Sequence, residues 1–213
     1  DDLERNGWFR GLPFVWSSMV ISNVETDSNQ NLVGLSIDEV ALSRNADPYD
    51  TMLSLIVEEE NQLMIVLHNR TESDIRFFLG HESAMIGSDG NAISPTGSQS
   101  IDQPHPRFYG TYPRILGRYV REQPSVLSLE AAVKKMTGMP AERLKLKDRG
   151  LIADGLMADL TLFNPETVID QATFEEPHQY PLGIPFVFVN GIAILDGGVH
   201  TGAKPGRILR RKG

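Results

Sequence analysis

Short apolar runs alternating with capped, polar-flanked segments dominate the first half of the chain. Val20-Ile21-Ser22, after the aromatic-rich Phe14-Val15-Trp16, predicts a short buried strand. Ser36-Ile37-Asp38-Glu39 has the pattern of a capping box, in which the serine oxygen and the glutamate carboxylate satisfy backbone donors left unpaired at a helix start. Asp47-Pro48 marks a second helix start, with Asp47 as N-cap and Pro48 in the first turn; Met52, Leu53, Leu55 and Ile56 give it an apolar face as far as Glu60. Leu63-Met64-Ile65-Val66-Leu67 is too short for an average helix and predicts a strand covered on both faces. Thr71 caps a helix over 72–79 with Ile75 and Phe78 inward, and Ala84-Met85-Ile86-Gly87 predicts a third strand ending in Ser88-Asp89-Gly90. Strand, helices, strand, helix, strand is the order of parallel βα units, about three of them.

The pattern then changes. Residues 91–106 are rich in Gly, Ser, Gln, Asn and Pro and read as a long loop; 108–120 suggest a helix, and Ser128-Leu129-Glu130 caps another that turns Ala132, Val133 and Met136 inward. From Gly150 onward the runs shorten to strands: Asp159-Leu160-Thr161-Leu162-Phe163, Phe186-Val187-Phe188-Val189 and Ile192-Ala193-Ile194-Leu195. The last two flank Asn190-Gly191, a strong hairpin signal. The fold class expected is α/β over residues 1–150 with a small all-β domain over 151–213, and no internal repeat.

Composition narrows the functions allowed. With 213 residues, 40% hydrophobic and 23% charged, the chain can bury a real core in one or two domains. A net charge of -8 argues against nucleic-acid binding by electrostatics, which needs clustered Lys and Arg; the one basic run, residues 207–212, reads as a solvated tail. There is no cysteine, hence neither a disulfide nor a thiolate metal site. No apolar stretch approaches the ~20 residues of a membrane helix, and Asp1-Asp2-Leu3-Glu4-Arg5-Asn6 lacks the basic and apolar regions of a signal peptide. A cytoplasmic location is the expectation. The chain does not begin with Met, which fits a start inside a longer protein; processing or an incomplete record would look the same.

Asp89 is the main candidate for chemistry. In a parallel βα barrel the reactive groups stand at the C-terminal ends of strands, where loops vary over a rigid barrel. A carboxylate there, followed by a glycine, can take a proton from a metal-bound water and deliver it to a leaving amine. Asp before Gly also commonly does no more than cap a turn, and the triplet by itself leaves both readings open.

The surrounding residues carry a resemblance. Met85-Ile86-Gly87-Ser88-Asp89-Gly90, then His105-Pro106-Arg107-Phe108-Tyr109-Gly110-Thr111-Tyr112-Pro113-Arg114-Ile115-Leu116-Gly117-Arg118-Tyr119-Val120-Arg121, is similar to the signature of the N-acyl-D-amino-acid deacylase (D-aminoacylase) family of amidohydrolases. Met136-Thr137, Pro140-Ala141, Asp148-Arg149-Gly150, Gly155 and Ala158-Asp159-Leu160 resemble the exit from the barrel in amidohydrolases. Residues 172–181, Val189-Asn190-Gly191 and 200–206 again resemble the deacylase branch. The resemblance implies the C-terminal portion of a (β/α)8 TIM-barrel metal-dependent hydrolase, with a zinc cofactor and an N-acyl-D-amino acid as small-molecule substrate. It implies that Asp89 is the catalytic acid/base and that Arg107 binds the substrate α-carboxylate, for which a guanidinium fork is suited. The stretch between Asp89 and Arg107 is longer here than in typical D-aminoacylases, which bears on where the arginine sits.

The histidines set a limit. His68, His105, His81, His178 and His200 include no pair spaced as His-x-His or at i, i+4, so no metal site is expected within this chain; the family's ligands would lie on upstream strands. His68 follows the second predicted strand, where it either touches substrate or an anion or is a polar strand terminus held by a local hydrogen bond. His105 is expected to order the loop beside Arg107. Tyr109 and Tyr112 are open to two readings, pocket lining and core packing. Against a linear-amide hydrolase stand two alternatives: an amidohydrolase of cyclic amides such as hydantoins or dihydropyrimidines, and a non-enzymatic fragment. An incomplete barrel would expose strand edges, so self-association or pairing with the N-terminal part is expected.

Overall fold

A computed structural model describes residues 15–96 and 103–210. The expectations placed on Asp1–Asn6, on Phe14, on part of the loop after Asn91 and on the last residues of the basic tail lie outside the described residues. By contacts the chain forms two compact units that interleave in sequence.

The first unit comprises residues up to Thr71 together with 91–108 and 173–178. It contains β1 (Met19–Asn23), α1 (Ile37–Arg44), α2 (Pro48–Glu58) and β2 (Met64–Leu67). Helix α1 starts as its sequence predicts: the Ser36 hydroxyl accepts the Glu39 amide at 3.3 Å and Glu39 Oε2 accepts the Ser36 amide at 2.7 Å. Asp47 caps α2 by accepting the Tyr49 amide at 2.8 Å, with Pro48 in the first turn. Met19, Ile21, Ile37, Val40 and Leu55 form the core between the sheet and these helices. The helical segment Asp27–Leu32 is held by the buried Glu59, whose carboxylate accepts the amides of Glu25 and Thr26, the Thr26 hydroxyl and the Asn29 side chain.

The second unit holds α3 (Glu72–Gly80), most of α4 (Arg107–Arg114), a π-helical stretch (Ile115–Arg121), α5 (Leu129–Met136), α6 (Gly138–Leu144), and strands β3 (Leu160–Leu162), β4 (Phe186–Val189), β5 (Ile192–Asp196) and β6 (Val199–His200). These four strands form one antiparallel sheet in sequential order. Asn190 and Gly191 turn β4 into β5 with φ of 49° and 80°, the left-handed backbone that a two-residue hairpin requires. Pro113 has no N–H for the Tyr109 carbonyl, and the helix widens to i→i+5 bonding directly after Arg114. Ile86, Ile115, Leu116, Tyr119, Leu127, Ala132 and Val168 make the second core. Among the described residues no helix is long and apolar enough to cross a membrane.

Three expectations of parallel βα units are corrected. β1 and β2 pair antiparallel, Met19 opposite Leu67 and Ile21 opposite Ile65. Two successive helices between the strands return the chain to the end it left, so β2 runs against β1; a single crossover helix would have made them parallel. β2 is only partly covered, with Met64 exposed. Residues 84–87 have no regular secondary structure and join no strand among the described residues; the Ile86 amide instead donates to the carbonyl of Lys135, on α5, at 3.1 Å. An apolar run registers as a strand only where a neighbour completes the ladder.

Candidate functional site

Asp89 stands near the end of segment 84–90, which has no regular secondary structure. Its residue is exposed and its backbone is left-handed, φ 48°, a conformation that Asp accepts more readily than most residues. The Ser88 hydroxyl accepts the Gly90 amide at 3.3 Å, closing a small turn around it. Upstream, Ile86 is buried in the second core and its amide is tied to α5. Asp89 is thus a solvent-exposed residue on a backbone anchored three residues earlier.

In the first unit, His68 extends the β1–β2 pairing: its amide donates to Ser18 O at 2.8 Å. Its ring stands edge-on to Phe174, centroids 4.4 Å apart at 60°. His105 approaches the same ring, at 5.0 Å and 75°. The His105 Nδ1 accepts the Arg107 amide at 3.0 Å. Arg107 is half-buried, and its guanidinium carbon lies 5.7 Å from the Phe108 ring centroid. Gln103 Nε2 donates to the carbonyls of Phe174 and Glu175, both at 2.9 Å, fixing the segment that supplies the aromatic ring. The structure therefore gathers His68 and His105 around Phe174, with Arg107 bonded to His105 through its amide.

Tyr109 and Tyr180 meet edge-to-face in the second unit, 5.5 Å apart. Burial, then the neighbouring Tyr180, pushes the Tyr109 hydroxyl above its ordinary pKa, so it stays protonated at neutral pH. Tyr112 is exposed. His81 and His200 each accept, on Nδ1, the backbone amide two residues on, Ser83 at 3.2 Å and Gly202 at 3.0 Å.

Sequence reasoning does not find Phe174 as the partner of the His68 and His105 rings, nor Gln103 as the residue that holds the Phe174 and Glu175 carbonyls, nor Lys135. Phe174 sits inside a stretch that had been noted only as a resemblance. Lys135 is three residues after the inward-facing Ala132, so helical spacing alone places it on the buried side of α5.

Among the described residues no group of three or more His, Cys, Asp or Glu side chains could hold a metal ion. The donors are dispersed: His68 and His105 share a phenylalanine rather than a carboxylate, and the two other histidines above are engaged by local amides. These residues do not fit a zinc site by themselves.

Comparison with known proteins supplies the wider frame. The profile of the amidohydrolase family matches residues 85–194. D-aminoacylase of Alcaligenes xylosoxydans xylosoxydans is 39% identical over 180 residues, 84% of this chain and 34% of that protein. N-acyl-D-glutamate deacylase of the same organism is 45% identical over 140 residues, 66% of this chain and 27% of its own length. A D-aminoacylase crystal structure, said to define a novel subset of amidohydrolases, superposes with a TM-score of 0.79 at 36% identity, covering 91% of this chain and 38% of that one. The N-acyl-D-glutamate deacylase of Bordetella bronchiseptica, complexed with zinc and a phosphonate that mimics the tetrahedral intermediate, matches with a TM-score of 0.73 at 29% identity, over 84% and 35% of the two chains. The chain thus spans about a third or less of the curated relatives it matches.

Proposed function

Because this chain belongs to the amidohydrolase family, with the mixed helix-and-sheet fold of the D-aminoacylase structures, we propose that the whole protein hydrolyses the amide of N-acyl-D-amino acids to a carboxylate and a free D-amino acid. The observation that carries this reading is Asp89, exposed at the tip of an anchored segment inside the stretch that matches the family. Its carboxylate takes a proton as water adds to the scissile carbonyl and gives it to the nitrogen as the C–N bond breaks. Arg107 binds the α-carboxylate of the substrate through its guanidinium fork. His68 and Tyr109 are the further candidates for substrate contact, each with a packing role as the alternative.

The metal belongs to the same reading. The related N-acyl-D-glutamate deacylase structure contains zinc, and the described residues here do not fit such a site, so its ligands are assigned to protein outside this chain and no step is drawn through it. Residues 1–150 are read as part of a (β/α)8 barrel, although the β1–β2 pair within them is antiparallel and not a pair of parallel barrel strands, and 151–213 as part of a small β domain; the antiparallel sheet β3-β4-β5-β6 supports the second assignment. Exposed edges of an incomplete barrel would pair with the remaining portion of the protein or with a second copy.

The test is turnover of N-acetyl-D-amino acids by the complete protein. Replacing Asp89 by Asn keeps the shape and removes the base, and kcat should fall by about 10²–10⁴-fold with little change in KM. Intact turnover in Asp89→Asn refutes the assignment.

A further inference from the structure

A buried lysine and the segment that leads to Asp89 are joined from both sides. Lys135 is 5% exposed in the last turn of α5, and its Nζ donates to the carbonyls of His81 and of Ala84, the latter at 2.9 Å. Its own carbonyl accepts the amide of Ile86 at 3.1 Å. One residue thus makes three bonds to a stretch of six residues, on a segment that joins no strand among the described residues.

The chemistry explains why a lysine stands there. The final carbonyls of a helix have no partner within it, and the Ile86 amide uses one of them. The same end of the helix carries partial negative charge and favours a cation. An ammonium has three donors to satisfy, and buried without partners it would be costly. Two carbonyls three residues apart, those of His81 and Ala84, take two of these donors, and they do so only while 81–84 keeps its bent course. An aliphatic side chain could fill the same space, but it would leave both carbonyls unbonded and the segment free to shift. Ile86 adds an apolar anchor by burying its side chain in the second core. Asp89 follows three residues later.

We propose that Lys135 is a positioning residue for the reaction: through its ammonium and its carbonyl it fixes the course of residues 81–86 and so the placement of the Asp89 carboxylate. This rests on the reading of Asp89 as the group that moves the proton. Lys135 does not touch substrate; it acts through Asp89.

The experiment uses the complete protein and compares Lys135→Met, Lys135→Arg and, as a control on the same helix, Lys134→Met at an exposed position. Two quantities are read for each: hydrogen exchange of the Ile86 amide, and kcat against KM for an N-acetyl-D-amino acid. Lys135→Met should speed Ile86 exchange and lower kcat by about 10–100-fold, the scale of a misplaced catalytic group, with KM within about threefold. Lys135→Arg, which keeps a cation and its donors, should recover part of both, and Lys134→Met should change neither. Added to Asp89→Asn, Lys135→Met should lower kcat no further. If Lys135→Met does not fold, Lys135→Arg alone decides, because Ile86 protection and kcat must fall together or stay together. The proposal is overturned if Ile86 protection drops while kcat is kept, if kcat drops with Ile86 protection intact, or if the loss adds to that of Asp89→Asn. If Asp89→Asn itself keeps full turnover, the reading of Asp89 fails, and Ile86 exchange shows separately whether Lys135 holds the segment.

Discussion

Arg114 grips Asp170 with two nitrogens, Nε and Nη2, each 2.7 Å from the same carboxylate oxygen. The Asp170 side chain is 3% exposed, so the pair is shielded on the acidic side and open on the basic side. Gly110, one turn earlier on α4, stands so close that a Cβ there would lie 2.8 Å from the Asp170 Cβ. Helix α4 is thereby fixed both by charge and by close approach. Asp170→Ala should cost about 2–3 kcal/mol, the scale of charge-assisted bonds lost from a buried acceptor. Gly110→Ala should also destabilise, by crowding. Urea unfolding gives both values, and an unchanged midpoint in Asp170→Ala would show that the pair contributes nothing.

Glu59 predicts an acid limb in stability. Burial alone would push its carboxyl up, but bonds from the Thr26 hydroxyl, the Asn29 side chain and the amides of Thr26 and Glu25 outweigh burial and bring it down to about 2 from an ordinary 4.5. The folded pKa is the lower one, so the carboxylate contributes its full stabilisation above about pH 4.5 and loses it as pH falls toward 2. Glu59→Gln should therefore be less stable than the parent at pH 7, and the gap should narrow steadily between pH 4.5 and 2. A gap that stays constant over that range would assign the effect to packing instead.

Phe174 links two histidines to the loop that carries Arg107. His68 and His105 both contact its ring, and His105 in turn accepts the Arg107 amide. Phe174→Ala removes the shared surface while leaving the Gln103 bonds to the backbone possible. The Arg107 amide should exchange faster, and KM for an N-acyl-D-amino acid should rise severalfold with a smaller change in kcat. Unchanged Arg107 exchange would mean that the loop is ordered without the ring.

What could be read from the sequence was local. The Ser36–Glu39 box, the Asp47 and Ser128 caps and the Asn190-Gly191 hairpin each rest on bonds between residues close in sequence, and all are present in the structure. Strand direction was not legible, because an apolar run has the same pattern whichever way its partner runs. Residues 84–87 show the same limit: their hydrophobicity matches a strand, but the Ile86 amide bonds to a helix more than forty residues later. The meeting of His68 with Phe174 is of this kind, since nothing near either residue announces the other. Asp89 and Arg107 are singled out for a different reason: they sit in motifs that resemble a family, and the family match spans both positions.

On the proposed function, Arg107 is the residue that should distinguish linear from cyclic substrates. Its amide is held by His105 and its guanidinium lies over the face or edge of Phe108, so its reach is set by local structure. A guanidinium makes two parallel bonds to a carboxylate, which an ammonium cannot reproduce. In the complete protein, Arg107→Ala should raise KM for N-acetyl-D-amino acids by about 100-fold, equivalent to roughly 3 kcal/mol of lost charge-assisted bonding. Arg107→Lys should recover only part of that, since it restores charge without the fork. A neutral cyclic amide such as a hydantoin has no α-carboxylate to lose, so any turnover of it should be nearly unaffected. Equal losses on both substrates would make Arg107 a structural residue and remove the main reason for preferring N-acyl-D-amino acids over cyclic amides.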